Sequence, residues 1–254
     1  MRQGTVAVGY LDGGSWAACF GLSYRDLILR DALGGGRIVR SGGRELRQLC
    51  GTGGIVDGRN RVAASFLDGT DAEWLWFVDT DMGFADDTVD KLVESAHPVE
   101  APVVGGLCFQ LKATGSASFH GRRYRIQPTL FDLLEAEGPD GGEVGFMPLM
   151  DYPRDAVVQV AATGSACILI HRWVLDGMRA KFGDTWYDPV THPTGNLGKP
   201  RTFSEDLSFC VRAAECGFPV YVNTAVKTTH DKHGIFLDEA AYDRDRAVNH
   251  GASD

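Results

Sequence analysis

Apolar and polar positions change most sharply at residues 74–78, WLWFV, where five apolar side chains in a row give way to Asp79 and Asp81. A run with no polar face reads as a strand buried on both sides, as at the centre of a parallel sheet. Shorter β-rich runs at residues 5–10 (TVAVGY), 37–40 (RIVR) and 102–107 (PVVGGL) accompany it. Between these runs, apolar residues recur at helical spacing. Cys19, Phe20, Leu22, Leu27, Ile28 and Leu33 form one face, with Ser15 as cap and Gly34 to Gly36 as terminator. Val62, Ala63, Phe66 and Leu67 form a second, over residues 60–67, and Val89, Leu92 and Val93 a third, over 86–94. The resulting order β-α-β-α-β-α-β predicts a single α/β domain built on a doubly wound, mostly parallel sheet flanked by helices.

The second half is less regular. Residues 110–143 contain few apolar runs and predict a short helix at 129–135. Strands at 155–162 and 165–170 bracket Thr163-Gly164, and a helix follows over 172–182. Residues 181–201, with three prolines, three glycines, Trp186 and Tyr187, read as an irregular loop over a site. From Phe203, a helix turns Leu207, Cys210, Val211 and Ala214 inward and Glu205, Ser208, Arg212 and Glu215 outward. Gly217 and Pro219 end it. A last strand is predicted at 220–223, and residues 236–254 read as a charged surface tail.

Composition narrows the classes. A net charge of −9 argues against a broad nucleic-acid-binding face. Six scattered cysteines without a C-x-x-C spacing read as small core residues in a reducing compartment. No apolar run approaches the roughly 20 residues that span a bilayer, and no leader precedes the first strand, so a soluble, cytoplasmic protein without a membrane partner is expected.

Two carboxylates at the carboxyl edge of a buried strand stand where α/β sheets bind ligands, and they are costly there unless solvated or sharing a cation. A hard divalent ion bridging to phosphate oxygens answers that cost. Arg59 and Arg61 sit against the dipole preference of a helix start, which hints at an anion. Gly9, Gly13 and Gly14 lack the G-x-G-x-x-G spacing, so a dinucleotide site is not expected.

Three motifs occur in one order: D-T-D at 79–81, S-E-D at 204–206 and T-T-H at 228–230. Together with R-N at 59–60, WLWFVDTDM, VVGGLCF, ATGSACILIHR, SEDLSFCVRAAECGFPVYV and TTHDKHG, they make residues 5–236 resemble the nucleotide-sugar-dependent glycosyltransferases of the Rossmann-like GT-A fold. Family-2-like members, and small enzymes encoded by actinobacterial phages, look closest. The resemblance implies that residues 1–110 bind the nucleotide, 111–235 the acceptor, and that Asp79, Thr80 and Asp81 face the donor. Asp79 and Asp81 would hold Mn²⁺ or Mg²⁺ against the diphosphate of a nucleotide sugar, a UDP-sugar being favoured, with His230 as a further ligand and His233 as its alternative. Asp206, or else Glu205, would be the general base. In a retaining enzyme Asp206 would instead orient the sugar or acceptor. Tyr10, Asp12 and Arg59 would meet the base and ribose, and Gly164 and Ser165 the transferred sugar.

The acceptor implied by the phage likeness is a hydroxymethylated DNA base; a protein or a saccharide is the alternative. Two basic patches, Arg37, Arg40, Arg44 and Arg47, and Arg122, Arg123, Tyr124 and Arg125, could grip a polyanion. A sugar nucleotidylyltransferase would need an arginine-bearing phosphate loop after the first strand, yet residues 11–16 hold no arginine or lysine. An inactive binding module would lose D-T-D or the Glu205-Asp206 pair.

Overall fold

The computed structural model describes residues 2–34, 36–39, 43–51, 53–118, 121–136 and 142–250, the side chains at 2–3, 114–118, 121–123 and 249–250 excepted. The first half runs β1 (Arg2–Asp12), α1 (Ala18–Gly34), β2 (Glu45–Leu49), α2 (Gly54–Gly69), β3 (Ala72–Val78), β4 (Met82–Phe84), α3 (Thr88–Ser95) and β5 (Val103–Leu107). Four antiparallel strands follow: β6 (Phe109–Ser118), β7 (Gly121–Pro128), β8 (Leu130–Ala136) and β9 (Glu143–Pro148). Then come β10 (Val157–Val160), β11 (Ala162–Thr163), β12 (Cys167–His171) and α4 (Arg172–Phe182). The chain ends with β13 (Thr191–Asn196), β14 (Lys199–Thr202), α5 (Glu205–Glu215), β15 (Val220–Lys232), β16 (Ile235–Leu237) and α6 (Glu239–His250).

The main sheet has the order β10-β15-β5-β12-β3-β1-β2. β2, β1, β3, β5 and β15 share one direction, while β12 and β10 run against it. β3 is buried along its whole length. Its pleat sends Leu75 and Phe77 into one core and Trp74, Trp76 and Val78 into the other, which is why the sequence shows no polar face. Gly9 lets α2 close on β1, since a Cβ there would fall 2.7 Å from the Val62 side chain.

Several expectations need correction. Residues 37–39 form no strand: the Asp31 carboxylate accepts the backbone N–H groups of Ile38 and Val39 at 2.9 and 2.6 Å and bends the chain. The strand beside β1 is β2, further along the chain, and its burial alternates as an edge strand's does. Leu22 and Leu33 of α1 are exposed.

The predicted helix at 129–135 is replaced by β8, because β9 pairs with it over six residues. The predicted loop at 181–201 contains the β13–β14 hairpin, and its Trp186 and Tyr187 are fully buried. The inner face of α5 is rotated: Ser208, Phe209, Cys210 and Ala213 are buried and Ala214 is exposed. Ser208 goes inward because its hydroxyl accepts the Val190 N–H at 2.9 Å.

The predicted strand at 220–223 is the first part of β15, which continues to Lys232. Residues 236–250, expected as a surface tail, complete β16 and form α6, whose Tyr242 is buried. All six cysteines are unpaired; Cys108, Cys167 and Cys210 are buried, but Cys50 is exposed. No helix among the described residues is long and apolar enough to cross a membrane.

Candidate functional site

β3 ends at Val78, and residues 79–81 turn the chain into β4. β15 leaves the main sheet and pairs antiparallel with β4, placing His230 opposite Met82. The far end of the chain thereby meets the D-T-D turn. His230 Nε2 stands 3.2 Å from Asp81 Oδ2, and Lys232 Nζ donates to the same oxygen at 2.9 Å.

The tautomer of His230 follows from its other contact. Nδ1 lies 2.9 Å from the Phe109 carbonyl, which can only accept, so Nδ1 carries the proton. Nε2 is then the atom turned toward the Asp81 carboxylate, an arrangement that places a proton or a metal ion between them. Asp81 Oδ1 is buried and has no hydrogen-bond partner among the described residues. Despite the cost of desolvation, His230 and Lys232 together hold the Asp81 carboxyl down to about 2. Imidazole nitrogen and carboxylate oxygen are donors that suit Mn²⁺. Among the described residues no three His, Cys, Asp or Glu side chains surround one point.

Asp79 faces the other way. Its carboxylate meets Arg59 Nη2 at 3.2 and 3.4 Å, and burial, only partly offset by that guanidinium, raises its pKa. Arg59 is itself buried, and its Nη1 donates to Asp206 Oδ1 and lies 3.7 Å from Glu205. The Tyr187 ring packs 5.4 Å from the guanidinium carbon. One arginine therefore ties the D-T-D turn to the amino end of α5. Burial, and then the neighbouring Asp206 charge, raise the pKa of Glu205. Arg61, by contrast, is exposed and paired with Asp57 at 2.8 Å.

Beyond Asp206 opens a cleft of about 740 Å³. Gly164 lines it, whereas Ser165 is fully buried. On the far side of the D-T-D turn, the Thr80 carbonyl accepts the Ala17 N–H at 3.0 Å and so fixes the loop after β1. Asp12 there is held by the Gly14 N–H at 2.7 Å and by Arg47 at 2.5 Å, with its pKa lowered by those two contacts in that order. Tyr10 is buried and its hydroxyl donates to Glu45. The aromatic ring at the surface is Trp16, 40% exposed and edge-on to Tyr10 at 5.6 Å. Sequence reasoning missed it, although an aromatic residue in the turn after the first strand was a signal.

His233 is exposed at the tip of the β15–β16 turn with φ 55°, and of these two histidines it is His230 that reaches Asp81. Of the first basic patch, Arg37 pairs with Asp90 and Arg47 with Asp12, while Arg40 lies outside the described residues. The side chains of Arg122 and Arg123 also lie outside them, whereas Tyr124 and Arg125 are exposed.

No protein-family model matches the sequence, and no curated protein is similar to it. Solved structures are similar in fold. A197 from STIV superposes with a TM-score of 0.51 at 14% identity, covering 93% of this chain and 91% of its own. GalNAc-T7, solved with UDP, GalNAc and Mn²⁺, superposes with a TM-score of 0.52 at 12% identity over 96% of this chain. This chain spans 48% of the GalNAc-T7 chain.

The fold is GT-A. Within the GT-A sheet the D-T-D turn lies at the carboxyl edge of β3, and β15 supplies His230 from the same edge. Arg59, Asp79, Glu205 and Asp206 form one linked group and Asp81, His230 and Lys232 another, joined through residues 79–81.

Proposed function

We propose that the protein is a divalent-metal-dependent glycosyltransferase that moves a sugar from a nucleotide sugar, a UDP-sugar by preference, to an acceptor hydroxyl. The observation that carries this reading is the imidazole of His230 turned, by its bond to the Phe109 carbonyl, with Nε2 toward Asp81. Asp81 and His230 would hold the ion, and an imidazole in the set favours Mn²⁺ over Mg²⁺. A bound ion supplies charge neutralisation for the departing diphosphate. The fold shared with GalNAc-T7, whose structure holds UDP and Mn²⁺, supports the same pairing of donor and metal.

The chain's own residues do the rest. Residues 1–110 would seat the nucleotide and 111–235 the acceptor. Thr80 and Asp12 shape the donor side, and Trp16, in place of buried Tyr10, offers a face to the nucleobase. Arg59 orients Asp79 and Asp206 rather than reaching the ribose. Asp206, with Oδ1 on Arg59, would take the proton of the acceptor hydroxyl through its other oxygen as the hydroxyl oxygen bonds to the anomeric carbon. The bond from that carbon to the diphosphate breaks, and the diphosphate leaves with the electron pair. Glu205 is the alternative base, and Gly164 leaves room for the sugar at the cleft entrance.

A thermal-shift screen of UDP-, GDP- and dTDP-sugars, each with and without Mn²⁺, tests this reading. The expected result is a rise in Tm with one donor and only in the presence of metal. No shift with any donor would overturn it.

A further inference from the structure

The cleft beside Asp206 has two unlike walls. One is apolar and includes Phe131, Phe146, Met147 and Phe203. The other is the β6–β7 hairpin, whose pleat presents Gln110 and Lys112 on one strand and Gln127 and Arg125 on the next. The alternate residues Leu111 and Ile126 pack on the core instead. The hairpin thus keeps its apolar side for the fold and turns four hydrogen-bond donors toward the cleft.

Register makes that wall unusual. Lys112 and Arg125 are direct cross-strand partners, and like charges placed opposite one another destabilise a hairpin. Both are exposed, and among the described residues neither forms an ion pair. Other arginines of the molecule behave differently. Arg201, on the same cleft, is paired with Glu143 at 3.2 Å, and Arg37, Arg47, Arg59, Arg61, Arg154, Arg179 and Arg246 all meet carboxylates. In a chain with net charge −9, two adjacent cations without a carboxylate partner at the mouth of a cleft are free to receive an external anion.

We infer that the acceptor is a phosphate ester, its phosphate received by Lys112 and Arg125 while its hydroxyl reaches Asp206. The inference rests on the glycosyltransferase reading and adds the class of acceptor to it. The aromatic wall would lie along the flat or apolar part of the same molecule, and Gln110 and Gln127 would bond its polar edge. Two sources carry this chemistry, a small sugar phosphate and a phosphodiester chain.

The test uses the full chain with its donor side saturated by UDP and Mn²⁺, so that phosphate probes meet only the acceptor cleft. Glucose 6-phosphate and a short single-stranded oligodeoxynucleotide are titrated into the wild type and into the double variant Lys112→Glu, Arg125→Glu. The expected result is binding of at least one probe, weakened about tenfold or more in the variant, with UDP affinity unchanged. Preference for the sugar phosphate or for the oligonucleotide identifies the source. Equal probe binding by variant and wild type, no binding of either probe, or equally tight binding of polyglutamate would overturn the inference and leave the glycosyltransferase reading standing. Failure of the wild type to bind UDP would overturn both. A second measurement guards against a structural role: Lys112→Gln should raise Tm by up to about 4 °C by relieving the like-charge contact, and a fall would overturn the inference.

Discussion

The two ends of β3 carry the same pair of residue types and put them to different use. At the amino end Glu73 faces His171 of β12, with His171 Nε2 3.5 Å from the carboxylate and both side chains buried. At the carboxyl end Asp81 faces His230 of β15 at 3.2 Å, with Asp81 about a third exposed. The sealed pair is explained by local structure. His171 Nδ1 caps α4 by accepting the Trp173 N–H, and Glu73 accepts the Gly4 N–H. At the open end, Nδ1 is committed as a donor, Nε2 points at an acid, and one oxygen of that acid has no partner among the described residues. Residue types alone do not separate a structural His–acid pair from a ligand site. The direction of the imidazole's remaining bond does.

Substitutions at the open end should remove function and those at the sealed end only stability. The largest effect is expected at Asp206→Asn, which should keep UDP binding but lower the transfer rate about 10³-fold, as loss of a general base does. Single-turnover transfer measured beside UDP calorimetry checks this, and near-normal turnover would remove the base assignment. Arg59→Met should follow, costing about 3 kcal/mol in urea unfolding, because it leaves Asp79 and Asp206 facing each other without their buried cation. A loss below about 1 kcal/mol would mean the linked group contributes to chemistry without supporting the fold. Asp81→Ala should weaken Mn²⁺-dependent UDP binding about 30-fold, or 2 kcal/mol, while barely moving the unfolding midpoint. Calorimetry showing unchanged affinity would sink the metal role.

The sequence made the centre of this molecule readable and its rim much less so. Trp74 to Val78 could be read as a buried strand because both faces of β3 meet apolar cores, and Asp79 and Asp81 stood out by ending it. α4 begins and ends where the sequence pattern places it. His230 could be placed only through the family resemblance, since its approach to Asp81 depends on β15 crossing from one sheet to another strand pair. Arg59 looked like a helix-start cation aimed at a ligand, and its burial between Asp79 and Asp206 depends on contacts 20 and 147 residues away. β8 resembled a helix because Leu130, Leu133 and Leu134 fall at helical spacing, and only its pairing with β9 makes it a strand. Ser208 was assigned outward by polarity, whereas its hydroxyl satisfies a backbone N–H inside. In each case the missing information is a long-range partner, which local periodicity does not contain.

The smallest effect belongs to the sealed end and is a matter of pH. Burial lowers the pKa of His171, and the nearby Glu73 carboxylate offsets this only in part, with Arg172 adding to the lowering and Asp176 opposing it. The native state therefore binds a proton less readily than the unfolded chain, whose histidine titrates near 6.5. Stability from this group is complete above that value and declines as pH falls below it toward the native pKa. Protonation would also place a hydrogen on Nδ1 and end the cap on Trp173. Between pH 7 and 5.5 the contribution is at most about 1.4 kcal/mol. Urea unfolding at the two pH values should show that decline in the wild type. His171→Asn, which keeps a capping acceptor and cannot titrate, should be less stable at pH 7 and should lose the slope. If the slope survives in the variant, the sealed pair is not its source.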